Sequence, residues 1–545
     1  MDFAHSSSSN GSWNRLCNVV EYSGIFDSEF RQPHSRCMEN TRVALRESIA
    51  QVLDQRDRTN IWLNGLAGVG KTSIAFTIAE EMKAAKRLAA TFFFSHKHSQ
   101  KVAVIIPTIA YQLALAFPRI REDIVKAIDN DDSLLSPGKS HADQMRELII
   151  KPLEILRFRE EPYAIIIDAL DECFSSEEAA RLVTLLTDAL AGPALPFIHI
   201  IFTSRPEAHI RAAIPSSVHE ILLTTRDKDS IQDVRFFLRA SLDKTRTIRP
   251  AVFGEPPFPW PTEGEFETLV YKAGGLFVYA AMAVNFISAA GHHPQERLEL
   301  LLRERPTVGA DIDQLYRQII ATSEDPLAHC RMLASIIHLD RPLPLAELQE
   351  LFYTDRRSLA MMLEAFSPVI LNDGVGHVDI YHASLRDFMD DPLRSKQYHV
   401  DAAHANEHLA CCCLDFITRQ DFIRTRTILV SPLSYPYPYQ TWCIHLHYAY
   451  PSGKLRNLLA LFTNTTLRYW LQTSSPKDPY LAHTVLIARN ACLSLNWIRG
   501  PSDIVVAWRL HKGCKEFAKK AQETNIRRYY TKSNYIKSRF SNYCW

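Results

Sequence analysis

Asn60-Ile61-Trp62-Leu63-Asn64-Gly65-Leu66-Ala67-Gly68-Val69-Gly70-Lys71-Thr72-Ser73 is the stretch on which the fold turns. A short apolar run, Ile61 to Leu63, leads into Gly-x-x-x-x-Gly-Lys-Thr, and a helical pattern follows from Ser73 to Lys86. A strand, a glycine-rich turn and a helix in that order make a phosphate-binding loop. The glycines let successive N–H groups face one anion, and the helix N-terminus adds a positive field. In such a loop Gly65 to Ser73 would cradle a polyphosphate, Lys71 would bridge its β and γ groups, and the Thr72 hydroxyl would coordinate Mg²⁺.

Four more short apolar runs lie downstream: Ala89 to Phe94, Tyr163 to Ile167, Phe197 to Phe202 and Glu220 to Leu223. Helical segments separate them, among them Ile105 to Phe117, Gln144 to Arg157 and Ser176 to Leu190. Continuous apolar strands alternating with helices predict an α/β domain with a parallel sheet covered on both faces. The run Tyr163 to Ile167 ends in Asp168-Ala169-Leu170-Asp171-Glu172. Asp168 is placed to hold Mg²⁺ directly or through water, and Asp171 or Glu172 to polarise an attacking water. Phe197 to Phe202 runs into Thr203-Ser204-Arg205, which puts a guanidinium at the sheet rim where ligands bind. Arg205 is therefore a candidate to sense a γ-phosphate or to stabilise its charge during transfer.

The whole chain of 545 residues has 62 Lys+Arg against 61 Asp+Glu, 46% hydrophobic and 23% charged residues. That composition excludes wholesale disorder, and the charge balance gives no global reason to expect nucleic acid as a partner. The 11 cysteines include no Cys-x-x-Cys pair, so free thiols in a reducing compartment are expected. His445 and His447 near Cys443 lack further ligands and read as core or surface residues. No secretory signal opens the chain, and Ala273 to Gly291 reads as a buried helix rather than a membrane span. A cytoplasmic protein is expected.

The order of these motifs resembles the NACHT class of signal-transduction P-loop ATPases, in its fungal NLR-like branch with a nephrocystin-3-like N-terminal domain. Cys37-Met-Glu-Asn-Thr41-Arg42 is similar to the family's Cys-x-x-x-Thr-Arg stretch. Ala273-Gly274-Gly275-Leu276-Phe277-Val278 resembles its Gly-Leu-Pro-like motif, with Phe277 where relatives often have Pro. Tyr381-His382-Ala383-Ser384-Leu385 resembles the motif that closes the winged-helix subdomain. The resemblance implies a flexible arm over 1–40, a P-loop NTPase domain over 41–230, a helical subdomain over 231–310, a winged-helix-like subdomain over 311–395 and a helical extension over 396–545. It also places an extra strand, Ala89 to Phe94, between the P-loop strand and the acidic strand. It implies ATP and ADP with Mg²⁺ as cofactors, His382 at the β-phosphate of ADP, slow or no hydrolysis, and self-association on activation.

Other readings are an efficient motor-like ATPase, a degenerate scaffold that binds no nucleotide, against which intact Lys71, Thr72 and Asp168 stand, and a winged-helix nucleic-acid-binding regulator. Only the basic tail, Arg527-Arg528, Lys532, Lys537 and Arg539 among tyrosines, favours the last.

Overall fold

The computed structural model describes residues 11–29, 36–95, 102–136, 138–173, 175–253, 260–303, 312–354, 356–372, 376–419, 436–467 and 503–513. The basic tail and Asp373-Gly374 of the hairpin turn lie outside them. The chain divides into two compact units: residues 1–315 with 382–384, and residues 316–381 with 385–545.

The first unit is built on a parallel five-stranded sheet. Its strands are β1 (Ile61–Gly65), β2 (Leu88–Phe93), β3 (Tyr163–Asp168), β4 (Ile198–Ser204) and β5 (His219–Leu223), in the order β2-β3-β4-β1-β5. β1, β3 and β4 are buried at every position, as a sheet covered on both faces requires. The order corrects one expectation. The strand between β1 and the acidic strand β3 is β4, which pairs Ile61 with Ile201 and Ile166 with Ile201 across its two edges. The Leu88–Phe93 strand pairs only with β3 and forms the sheet edge. Apolar content told these strands apart from helices but gave no order among β1 to β4, all of them mainly apolar and buried.

Residues 11–17 form the helix α1, and the other helices of this unit are α2 (Val43–Leu53), α3 (Lys71–Ala84), α4 (Val102–Ala116), α5 (Arg121–Asn130), α6 (residues 141–154, with a π-helical stretch at Arg146–Ile150), α7 (Ser176–Leu190), α8 (Ala208–Ala213), α9 (Lys228–Ile248), α10 (Glu263–Ala273), α11 (Phe277–Ser288) and α12 (Pro294–Arg303). α3 lies against β3 and β4, and α4 against β2. Trp62, Phe92, Ile165, Ile167, Phe202 and Leu113 share one core. Gly274 and Gly275 take positive φ between α10 and α11, and at Gly275 a side chain would meet the Thr225 carbonyl at 2.1 Å. Only glycine fits that turn.

The expected flexible arm is folded over 11–29. Leu16 and Phe26 are buried, Trp13 stacks on Tyr111 with the Arg121 guanidinium 3.9 Å from its ring, and Arg15 pairs with Asp132 at 2.9 Å. The serine run ahead of it masks these apolar anchors in any averaged composition.

In the second unit, α13 (Ile312–Ala321), whose first residues belong to the first unit, leads to α14 (Pro326–Ile337), β6 (Leu343–Pro344), α15 (Leu345–Phe352), α16 (Arg356–Ala365), β7 (Ile370–Asn372) and β8 (His377–Ile380). The small antiparallel sheet has the order β6-β8-β7. This is winged-helix topology. The helices α17 (Ser384–Asp390), α18 (Ala402–Thr418), α19 (Tyr437–Tyr448) and α20 (Gly453–Thr465) follow, and residues 503–513 are helical. No single helix among the described residues is long and apolar enough to cross a membrane.

His445 is a core residue of this unit. Its Nδ1 donates to Asn406 Oδ1 at 2.9 Å, because the Asn406 amide is itself turned to the Ala402 carbonyl. Its Nε2 accepts from the Tyr437 hydroxyl at 2.7 Å, and burial holds the ring neutral, with a pKa of about 3. The Tyr437 oxygen in turn accepts the Asp340 N–H. Cys411, Cys412 and Cys413 lie on α18 and are free thiols, with burial pushing Cys412 up to about 12.

Burial also pushes the Asp340 carboxyl up to about 6, against an opposing pull from Arg341. A folded pKa above the unfolded value means that the folded chain holds the extra proton between about pH 4 and 6. Stability then falls as pH rises through that window. Asp340→Asn should therefore stabilise the chain by about 2 kcal/mol near neutral pH and change little near pH 4. Denaturant midpoints at the two pH values check it, and the same difference at both would contradict it.

Candidate nucleotide-binding site

β1 is flanked by β4 and β5, and its end at Gly65 opens the loop. A Cβ at Gly65 would approach the Leu223 carbonyl to 2.7 Å, and one at Gly68 would meet Val278 at 2.1 Å. Gly68 and Gly70 take φ of +80° and +96°. Gly70 is the N-cap of α3, with no side chain to satisfy the first-turn N–H groups. Those donors and the helix dipole together suit an anion.

Lys71 Nζ donates to the carbonyls of Gly65 at 2.8 Å and Leu66 at 2.9 Å, so its ammonium is held at the mouth of the loop. Burial pulls its pKa below the ordinary lysine value, opposed first by Asp171 and Asp168 and more weakly by Glu172. The structure thus brings Lys71, Asp168, Asp171, Glu172 and Arg205 within electrostatic reach of one another, although they come from three segments.

Asp168 ends β3 and is 1% exposed. Its Oδ1 accepts from Thr203 Oγ1 at 2.5 Å, and the same hydroxyl accepts the Ala169 N–H at 2.9 Å. Thr203 therefore fixes both the carboxylate and the left-handed Ala169 behind it. Asp171 is tied to the neighbouring strand end: Oδ1 accepts the Arg205 N–H at 3.0 Å, and Oδ2 lies 3.1 Å from Arg205 Nε. Both carboxylate oxygens of Asp171 are thus engaged by Arg205. Glu172 follows in the same short turn after β3 and is the second candidate base. Thr72 is exposed and Ser73 partly so, both in the first turn of α3.

His382 sits elsewhere in the sequence, before α17. Its Nδ1 accepts the Ser384 N–H at 3.1 Å and lies 2.8 Å from Ser384 Oγ. Both of these contacts are local, at the start of α17. Two residues that sequence reasoning gave no role also meet the loop: Arg42 donates to the Val69 carbonyl and Val278 to the Gly68 carbonyl. Both belong to stretches whose family resemblance was visible, but resemblance named no partner for either.

Residues 42–205 match the family described as nephrocystin 3, N-terminal. This unit has the fold of a P-loop NTPase. No curated protein matches the chain. Among solved structures, a Walker-type ATPase of Pyrococcus abyssi is similar at 14% identity, covering 68% of this chain and 99% of that one, with a TM-score of 0.32. The Aeropyrum pernix ORC1 protein in complex with DNA is 15% identical over 67% of this chain and 94% of its own, with a TM-score of 0.31. Drosophila ORC bound to DNA is 12% identical, covering 95% and 75%, with a TM-score of 0.23. At these scores no residue role carries over.

The comparisons do correct one expectation. Structures described as bound to DNA are among those matched, so nucleic acid no longer stands outside the expected partners. Net charge was a poor guide because a sum near zero says nothing about how charge is distributed over a surface.

Lys71 is a cation held at the loop by two of its carbonyls. Lys71→Ala should weaken ATP binding roughly ten- to hundredfold, as the loss of one charge-assisted contact of about 1.5–3 kcal/mol. Calorimetric titration checks it; equal affinities in variant and wild type would contradict the assignment of the loop.

Proposed function

We propose that the chain is a nucleotide-controlled regulator, binding ATP and ADP with Mg²⁺ in its first unit and hydrolysing ATP slowly. The observation that carries this reading is the uncapped N-terminus of α3 with Lys71 held at its mouth, beside carboxylates from the end of β3. In it the first-turn N–H groups and Lys71 bind the phosphates. Thr72 and Asp168 are the residues that would hold Mg²⁺, which when bound neutralises charge on the phosphate oxygens. Glu172 takes the proton of the attacking water, while Asp171 orients Arg205 towards the same rim. His382 enters as a sensor of the bound diphosphate through Nε2, since Nδ1 accepts from Ser384. A NACHT-like cycle between ADP-bound and ATP-bound states fits these parts.

A second reading makes DNA the target of the regulator. It is favoured by the winged-helix topology of the second unit, in which α16 is the helix that such folds present to the major groove. Arg357 and Ser358 are exposed near its start. Titrating duplex DNA at several salt concentrations, with ATP, with ADP and without nucleotide, separates the two readings. Binding that weakens steeply with salt and depends on the nucleotide supports the DNA reading; absence of binding in every state removes it.

For the chemistry, Glu172→Gln should leave ATP affinity near that of the wild type and slow single-turnover hydrolysis by about a hundredfold, the worth of a positioned base. Asp171→Asn, made alongside, should slow hydrolysis less. Unchanged turnover in the Glu172 variant would move the role elsewhere.

A further inference from the structure

Two consecutive carbonyls of the phosphate loop are held by donors from distant segments. The Gly68 carbonyl accepts the Val278 N–H at 3.1 Å, from the first turn of α11. The Val69 carbonyl accepts Arg42 Nη2 at 3.1 Å. Arg42 is 7% exposed and stands at a left-handed φ of +56° just before α2. It is anchored on several sides. Nη1 donates to Ser230 Oγ at 2.6 Å, its backbone N–H donates to Asp233 Oδ2 at 3.1 Å, and its guanidinium lies 5.0 Å from the Phe277 ring centroid. Ser230 is fixed in turn, its N–H and hydroxyl both bonded to Asp227, the N-cap of α9.

In a trans peptide the C=O and the next N–H lie in one plane and point in opposite directions. Holding the Val69 carbonyl on the Arg42 side therefore turns the Gly70 N–H to the other side, and holding the Gly68 carbonyl does the same for the Val69 N–H. The loop needs such restraint. Glycine before and at the helix start lets these planes rotate at little cost, and a rotated plane presents an oxygen where an anion needs a hydrogen.

We infer that Arg42 is a positioning residue for polyphosphate binding: it fixes the Val69–Gly70 peptide plane with its N–H towards the phosphate side, through the Val69 carbonyl rather than by touching nucleotide. This rests on the nucleotide reading of the same loop. A guanidinium suits the task because two nitrogens of its rigid fork reach Ser230 and Val69 separately, a span that the single nitrogen of a lysine does not offer.

The test compares wild type with Arg42→Ala, Arg42→Lys and Ser230→Ala by calorimetric titration with ATP and with inorganic tripolyphosphate. Arg42→Ala should weaken both ligands by the same factor, about tenfold for one hydrogen bond to a charged group. Arg42→Lys should fail to restore either, and Ser230→Ala should weaken both by about two- to threefold. A loss confined to ATP would overturn the inference, because the guanidinium would then be reading the base or sugar. Restoration by lysine would overturn it as well, since charge alone would suffice. Should Arg42→Ala not fold, Ser230→Ala decides: unchanged tripolyphosphate affinity refutes the positioning role. A wild type that binds neither ligand strikes down the nucleotide reading itself, and this role with it.

Discussion

The first unit depends on one arrangement: a helix N-terminus left without a cap at the end of a buried strand. An ordinary helix start satisfies its first N–H groups with Ser, Thr, Asp or Asn, and this chain does so at Asp227, Thr262, Asp325 and Ser452. At Gly70 it does not. In the proposed reading those donors meet a phosphate, and the loop that presents them is braced from outside by Arg42 and by Val278. The parallel sheet makes this possible, since β1 is held on both edges and cannot shift with the loop.

The acidic side of the site follows a related logic. Asp168 and Asp171 are each bound by the end of β4, one through the Thr203 hydroxyl and the other through Arg205. The strand that lies between β1 and β3 therefore orders the carboxylates opposite Lys71. Carboxylates near a buried ammonium also offset part of the cost of burying it, and Lys71 reports both effects at once: burial lowers its pKa while Asp171 and Asp168 oppose the fall.

Much of this was legible in the sequence, for a physical reason. Strand-turn-helix with glycines at fixed offsets is a local pattern, so Gly65 to Ser73 could be placed from their own neighbours. The runs at Tyr163 and Ile198 could be recognised as strands because continuous burial leaves a continuous apolar trace. Strand order left no such trace, and the edge position of Leu88–Phe93 had to be seen. The packing of residues 11–29 was hidden because Trp13, Leu16 and Phe26 are spaced among polar residues. The Thr203–Asp168 and Arg42–Val69 contacts join positions far apart in the chain, and no local pattern encodes them.

The most direct test of the account is to identify what the purified chain already carries. Freshly purified protein is denatured in acid, and the released material is separated by anion exchange and quantified against the protein. The account predicts a stoichiometric adenine nucleotide, held by the loop between Gly65 and Ser73. A chain that releases none, and that takes up none when ATP and Mg²⁺ are supplied, would contradict it.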